Sequence, residues 1–160
     1  MRDPASLLPP FDHLSDARVP TAAIAGKLRE LDSAIFVTGW ITPSALADLV
    51  PLGIHSVVNH RPDHEEPGQA TSLDLAIAAK AAGLRYEHAP ISRMPDGHAV
   101  LTTERALAER GPDEGLVLFC RSGMRSTYAW ALAQRRSGVS AEWLRARAIS
   151  AGYDLGTLPL

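Results

Sequence analysis

The sequence predicts a single α/β domain with a mostly parallel central sheet of about four to five strands flanked by helices. Two patterns carry that prediction. Short apolar, β-branched runs alternate with helical segments of ten or so residues. Threonine or serine stands before several of those helices and glycine after them, as caps and exits require. Residues 1–30 read as an N-terminal extension, with Pro9 and Pro10 paired and no sustained period, and residues 31–160 as the domain. Within the extension "AGKLRELD" suits a short helix. "AIFVTGW" is the first predicted strand. "TPSALADLVPLG" is a helix with Thr42 as N-cap, Pro43 in the first turn and Gly53 at the exit. "IHSVVNH" is the second strand, bounded by the turn-rich "RPDHEEPGQ". A helix opened by Thr71 or Ser72 and closed by Gly83 leads to the third strand, "LRYEHAPI". "TTERALAERG" is a helix, "GLVLFC" the fourth strand, and two helices follow, from about Ser126 to Gly138 and from Ser140 to Gly152.

Bulk properties exclude more than they identify. The 160 residues, 46% hydrophobic and 21% charged, suit one soluble globular domain. A net charge of -2 gives no electrostatic reason to expect nucleic acid or membrane partners. No apolar run approaches a bilayer span, and the first twenty residues hold too many prolines and acids for a signal peptide. The single cysteine permits no internal disulfide, which fits a reducing, cytoplasmic compartment.

In parallel sheets, sites form where loops leave the carboxyl ends of strands. "NHRPD", "SRMPDGH" and "CRSGMRS" occupy such positions and are expected to converge on one rim. A cysteine is a useful nucleophile as thiolate, which a helix N-terminus and nearby cations favour. Cys120 has both, with Arg121 and Arg125 supplying charge. Gly123 permits a tight turn that aims successive N–H groups inward, and Ser126 is placed to hydrogen-bond the sulfur. A lone cysteine after "VLF" would ordinarily be core, but the basic glycine-containing loop reverses that.

"CRSGMRS" resembles the active-site loop of single-domain rhodanese-type sulfurtransferases. Cysteine-dependent phosphatases are similar in layout but place five residues between cysteine and arginine. Here there are four: Arg121, Ser122, Gly123 and Met124. Phe119 stands where those enzymes usually carry histidine. The wider chain, roughly residues 34–156, resembles the beta-lactamase-hydrolase-like, phosphatase-like domains. That resemblance is carried by "FVTGWITPSALADLVPLGIHSVVNHRPDHEEPGQ", "AAKAAGLRYEHAPI", "FCRSGMRS" and "ISAGYDL". It implies a dual-specificity-phosphatase-like fold whose active-site loop lies between the last strand and the next helix. It also implies sulfur metabolism, with a functional link to a persulfide dioxygenase. Two departures stand out: the extension has no counterpart, and Trp40 replaces a polar glutamine expected near the first loop.

The expected activity is therefore sulfur transfer. Cys120 takes the sulfane sulfur of thiosulfate or a persulfide and passes it to a thiol acceptor, the Cys120 persulfide being held by loop N–H groups and the catalytic Arg125. Arg121, Ser122, Gly123, Met124 and Ser126 line the site, and Arg61 and Asp63 bind the donor. No cofactor and no metal are expected, since His55, His60, His64 and His88 share no compact ligand spacing. Two rivals remain open: a phosphatase with a phospho-cysteine and Asp63 or Asp96 as acid, and a non-catalytic persulfide sensor. Trp130 and Trp143 read as core, and "QRRSG" as a solvated helix end.

Overall fold

The central strand of the sheet is made of the apolar pentapeptide "GLVLF", and its position places the cysteine. The computed structural model describes residues 18–160, with side chains from residue 23 onward; most of the predicted extension lies outside the described residues. In chain order the elements are α1 (Arg18–Lys27), β1 (Arg29–Asp32), β2 (Ile35–Thr38), α2 (Pro43–Leu49) with a 3-10 turn (Val50–Leu52), and β3 (Ile54–Asn59). They continue with α3 (Ser72–Ala82), β4 (Arg85–His88), α4 (Gly97–Glu109), β5 (Gly115–Phe119), α5 (Met124–Arg136) and α6 (Ala141–Ser150). Sheet order is β1-β2-β5-β3-β4, parallel throughout except for β1.

β5 is buried at every position and so faces protein on both sides. Leu116 and Leu118 point into one core with Val58, Trp130 and Leu144; Val117 and Phe119 point into the other with Leu46, Leu49 and Leu75. This period-two division puts α4, α5 and α6 on one face and α1, α2 and α3 on the other. Asn59 pairs with Phe119 and His88, so β3, β4 and β5 end level with one another. The three loops after them emerge at one rim.

Local signals act as expected at several ends. Thr42 caps α2, and Thr71 forms a capping box with Asp74 at α3. Elsewhere the structure corrects the sequence reading. "AGKLRELD" is not one helix: Ala25–Lys27 end α1, and Arg29–Asp32 form an edge strand antiparallel to β2. Only Leu31 of that strand is buried, while Arg29 and Glu30 face solvent, as suits a charged sheet edge. α4 starts five residues before Thr102, because Asp96 accepts a hydrogen bond from the Ala99 N–H and caps it there. Trp143 is 39% exposed, unlike the buried Trp130, 6.3 Å from it between ring centroids.

Gly115 starts β5 against β3. A Cβ there would lie 2.7 Å from Ile54 Cδ1 and 2.8 Å from the Gly53 carbonyl oxygen. Gly115→Ala is expected to lower unfolding stability by about 1–3 kcal/mol in urea titration. An unchanged midpoint and slope would show that β3 and β5 can part at no cost.

Candidate active site

The cysteine loop, residues 120–125, is shaped by where its carbonyls go. The Arg121 carbonyl accepts from the Trp40 N–H at 3.3 Å, and the Ser122 carbonyl from the Tyr153 hydroxyl at 3.0 Å. The Gly123 carbonyl accepts from both the N–H and the hydroxyl of Thr127, at 3.0 and 2.8 Å. A peptide's N–H points opposite to its C=O. Tying three successive carbonyls outward therefore turns the N–H groups of Ser122, Gly123 and Met124 to the other side. The Gly123 N–H reaches Cys120 Sγ at 3.1 Å. Gly123 has φ +96°, and a Cβ on it would run into the Tyr153 hydroxyl, so glycine is required twice over. α5 begins at Met124, two residues before the predicted Ser126, and its N-terminal dipole opens onto the loop. Cys120 itself is buried.

Beneath the loop lies a group that sequence reasoning weighed only as a metal ligand. His60, fully enclosed, places Nδ1 2.8 Å from Ser126 Oγ and Nε2 2.8 Å from Thr103 Oγ1. Thr103 donates its own proton to the Ala99 carbonyl at 2.8 Å. Nε2 must then donate to Thr103, which leaves Nδ1 to accept from the Ser126 hydroxyl. Burial above all, with the electrostatic influence of His88 and Arg125 adding to it, holds the His60 pKa down at about 3, so the ring is neutral. The Ser126 proton is committed to His60. The expected Ser126 hydrogen bond to sulfur is replaced by the backbone N–H of Gly123.

Above the loop stand two carboxylates from the segment after β3. Glu65 binds Arg125 end-on, Oε2 to Nη1 at 2.7 Å and Oε1 to Nη2 at 3.0 Å, and the Ile91 carbonyl takes the other Nη1 proton at 2.6 Å. Arg61 Nε also donates to Glu65, at 3.1 Å. Glu66 bridges Arg121 at 2.6 Å and Arg61 at 3.0 Å. The hydrogen bond from Arg125 is the main reason the Glu65 carboxyl is held below the usual carboxylate range. Glu65 in turn raises the Arg125 pKa, with the nearby Cys120 sulfur contributing. His64, directly before Glu65, adopts φ +64°, a strained conformation that aims the acidic pair at the loop.

The structure thus gathers Cys120, Arg121, Arg125 and Arg61, together with Glu65 and Glu66 from the turn-rich "RPDHEEPGQ". Asp63 caps α3, accepting from the Ser72 N–H at 2.7 Å, and Asp96 caps α4. Ser122 and Met124 serve through the backbone, the Met124 N–H contacting Ser122 Oγ at 3.3 Å. Of the other histidines, His88 Nε2 meets the Arg61 carbonyl and His55 Nδ1 the Gly53 carbonyl. Among the described residues no group of three or more His, Cys, Asp or Glu side chains could hold a metal, and no helix is long and apolar enough to cross a membrane. His60 and Tyr153 carried no local signal, because their roles depend on contacts 66 and 31 residues away.

Comparison with known proteins identifies the family and the fold. The family described as beta-lactamase hydrolase-like protein, phosphatase-like domain, matches residues 27–137. The chain belongs to that family. The beta-lactamase hydrolase-like protein of Xylella fastidiosa (strain Temecula1) is 29% identical over 133 residues, which is 81% of this chain but 30% of that protein. Its counterpart in Agrobacterium fabrum is 33% identical over 88 residues, 54% of this chain and 20% of that protein. The chain spans less than a third of these relatives. A Neisseria meningitidis structure provisionally assigned as a phosphatase superposes with TM-score 0.67 at 24% identity, covering 80% of this chain and 90% of that one. Tk-PTP in its active form gives 0.62 at 19% identity, over 82% and 88%. Kinase associated phosphatase gives 0.59 at 13%, over 79% and 82%. The fold is therefore that of the cysteine-dependent phosphatases, as the resemblance implied.

His60 generates a prediction with a definite sign. Its folded pKa of about 3 lies below the ordinary 6.5, so the unfolded chain takes the proton first. Stability should fall as pH drops through 6.5 toward 3, with a slope approaching about 1.4 kcal/mol per pH unit. Glu65, also depressed, adds to the loss only below its ordinary 4.5. Urea titrations between pH 7 and 5 should show the slope in the parent chain and a flatter one in a less stable His60→Gln. Equal slopes would mean His60 is protonated in the folded protein.

Proposed function

We propose that this chain is a cysteine-dependent hydrolase of the phosphatase type, acting on phosphate monoesters at the cysteine loop. The observation that carries the reading is how Arg125 is held. Its guanidinium has five N–H donors, and Glu65 and Ile91 take three of them, both on Nη1 and one on Nη2. The remaining two, on Nε and Nη2, share one edge in the fork geometry that clasps an oxyanion. That edge belongs to the same guanidinium that acts on the Cys120 sulfur.

The Cys120 thiolate attacks phosphorus, a P–S bond forms, and the P–O bond breaks with its electron pair leaving on the departing oxygen. Water then cleaves the phospho-cysteine, releasing inorganic phosphate and restoring the thiol. Loop N–H groups and Arg125 bear the charge that develops on the non-bridging oxygens. Asp63 and Asp96 are both engaged as helix caps and Glu65 is held ionised. Without a ready acid for the leaving oxygen, the reading favours substrates whose leaving group needs no proton.

One observation keeps a second reading alive. The spacing of four residues between Cys120 and Arg125 matches a persulfide loop. Cys120 would attack the sulfane sulfur of thiosulfate, breaking the S–S bond with sulfite leaving as the anion, and a thiol acceptor would take the sulfur from the persulfide. A cellular link to a persulfide dioxygenase belongs to this reading.

Aryl phosphate turnover should be measurable, at least 100-fold faster than alkyl phosphate, lost in Cys120→Ser and reduced about 100-fold or more in Arg125→Lys. If aryl phosphate is untouched while intact mass shows one sulfur gained at Cys120 from thiosulfate and removed by cyanide, the sulfur reading replaces the first.

A further inference from the structure

A cavity of about 370 Å³ opens beside the cysteine loop, walled by Trp40, Ile41, Leu75 and Phe119 with Asn59 and Arg61 at its polar end. Its size lies at the small end of pockets that hold organic ligands. It touches the reaction site at two points. Phe119 directly precedes Cys120, and the Trp40 N–H holds the Arg121 carbonyl. Three features mark it as a binding site and not a packing gap.

Arg61 is the first. Its side chain is only 7% exposed, yet Nη2, 3.0 Å from Glu66 Oε2, makes no aligned hydrogen bond. A buried guanidinium with an unsatisfied donor is costly, and a ligand carboxylate aligned with Nη2 would complete what Glu65 and Glu66 leave open. The second is charge: among the described residues Arg61, Arg121 and Arg125 pair with Glu65 and Glu66, so one positive charge is left over while Cys120 is a thiol. The third is Trp40, which lines the cavity while 52% exposed and so offers an aromatic face to an entering group. The Lys27 ammonium sits 5.7 Å from that ring's centroid and fixes one face, leaving the cavity side as a stacking wall.

We infer that this cavity binds the organic body of the substrate, an aromatic group bearing a carboxylate that pairs with Arg61. The inference deepens the proposed hydrolase reading and rests on it for the reacting end only. Trp40 and Leu75 would take the apolar body, Arg61 the carboxylate, and Cys120 the phosphate beyond the rim. Trp40, the position that departs from the polar residue expected there, would then set specificity.

The test uses the full chain carrying Cys120→Ser, with 3-phenylpropanoate as probe and 3-phenylpropanol as its uncharged partner, followed by two-dimensional NMR. The acid should bind at roughly millimolar concentration, shifting the Trp40 indole and Leu75 methyl signals, and at least five-fold more tightly than the alcohol. Ala70→Phe, which fills the cavity from its lining without touching the loop, should weaken the acid ten-fold or more. Trp40→Gln should weaken both probes about equally. No shifts at Trp40 and Leu75, equal affinity for acid and alcohol, or an unaffected Ala70→Phe would each overturn the inference. Probe binding without any aryl phosphate turnover in the parent chain would sink the hydrolase reading while leaving the cavity assignment standing. Turnover of carboxylated aryl phosphates with a KM unmoved by Ala70→Phe would do the reverse.

Discussion

The hydrogen bond from Ser126 to a neutral His60 is the contact on which the site's arrangement depends. His60 follows β3, Ser126 lies in the first turn of α5, and Thr103, on the other ring nitrogen, belongs to α4. One buried imidazole therefore fixes the distance between the strand end, the helix that carries Arg125 and the neighbouring helix. It can do so only while uncharged, because a protonated ring would turn the Nδ1 acceptor into a donor facing a hydroxyl already oriented toward it. The burial that lowers its pKa is the same burial that makes the contact rigid.

Electrostatics in the layer above follow from that rigidity. Arg125 enters from α5 at a fixed angle and meets Glu65 end-on, and the pair is far less exposed than Arg121 with Glu66. The first pair orients a guanidinium. The second, 63% and 40% exposed, is the kind of surface contact that contributes about 0–1 kcal/mol and opens easily. An anion approaching the buried thiol thus meets one fixed and one yielding arginine. The two differ in function because they differ in solvent exposure, though both are arginines bound to neighbouring glutamates.

Much of this was legible in the sequence, and the failures share a cause. Strands such as "GLVLF" and caps such as Thr42 and Thr71 announce themselves because the deciding interactions are local or set by periodicity. The strand Arg29–Asp32 does not, since a four-residue edge strand with one buried side chain looks like a charged helix turn until β2 is beside it. The cysteine loop could be read from its glycine and arginines. Glu65 and Glu66 could not be separated from a solvated loop, because the partners that tie them to the cysteine loop lie about sixty residues onward. Asp63 and Asp96 attracted attention as acids, whereas each satisfies the first N–H groups of a helix.

The outward tethers on the loop carbonyls have a bearing on time as well as shape. Trp40, Thr127 and Tyr153 come from three separate stretches of chain, and the last lies beyond residue 137, where the family match ends. To swing open, the loop must release all three anchors together. Its fluctuations are accordingly coupled to the segment that follows α6, and amide exchange at Gly123 should report the attachment of Tyr153 as much as anything nearby. A segment with no reactive group of its own thereby acts as a clock on the nucleophile.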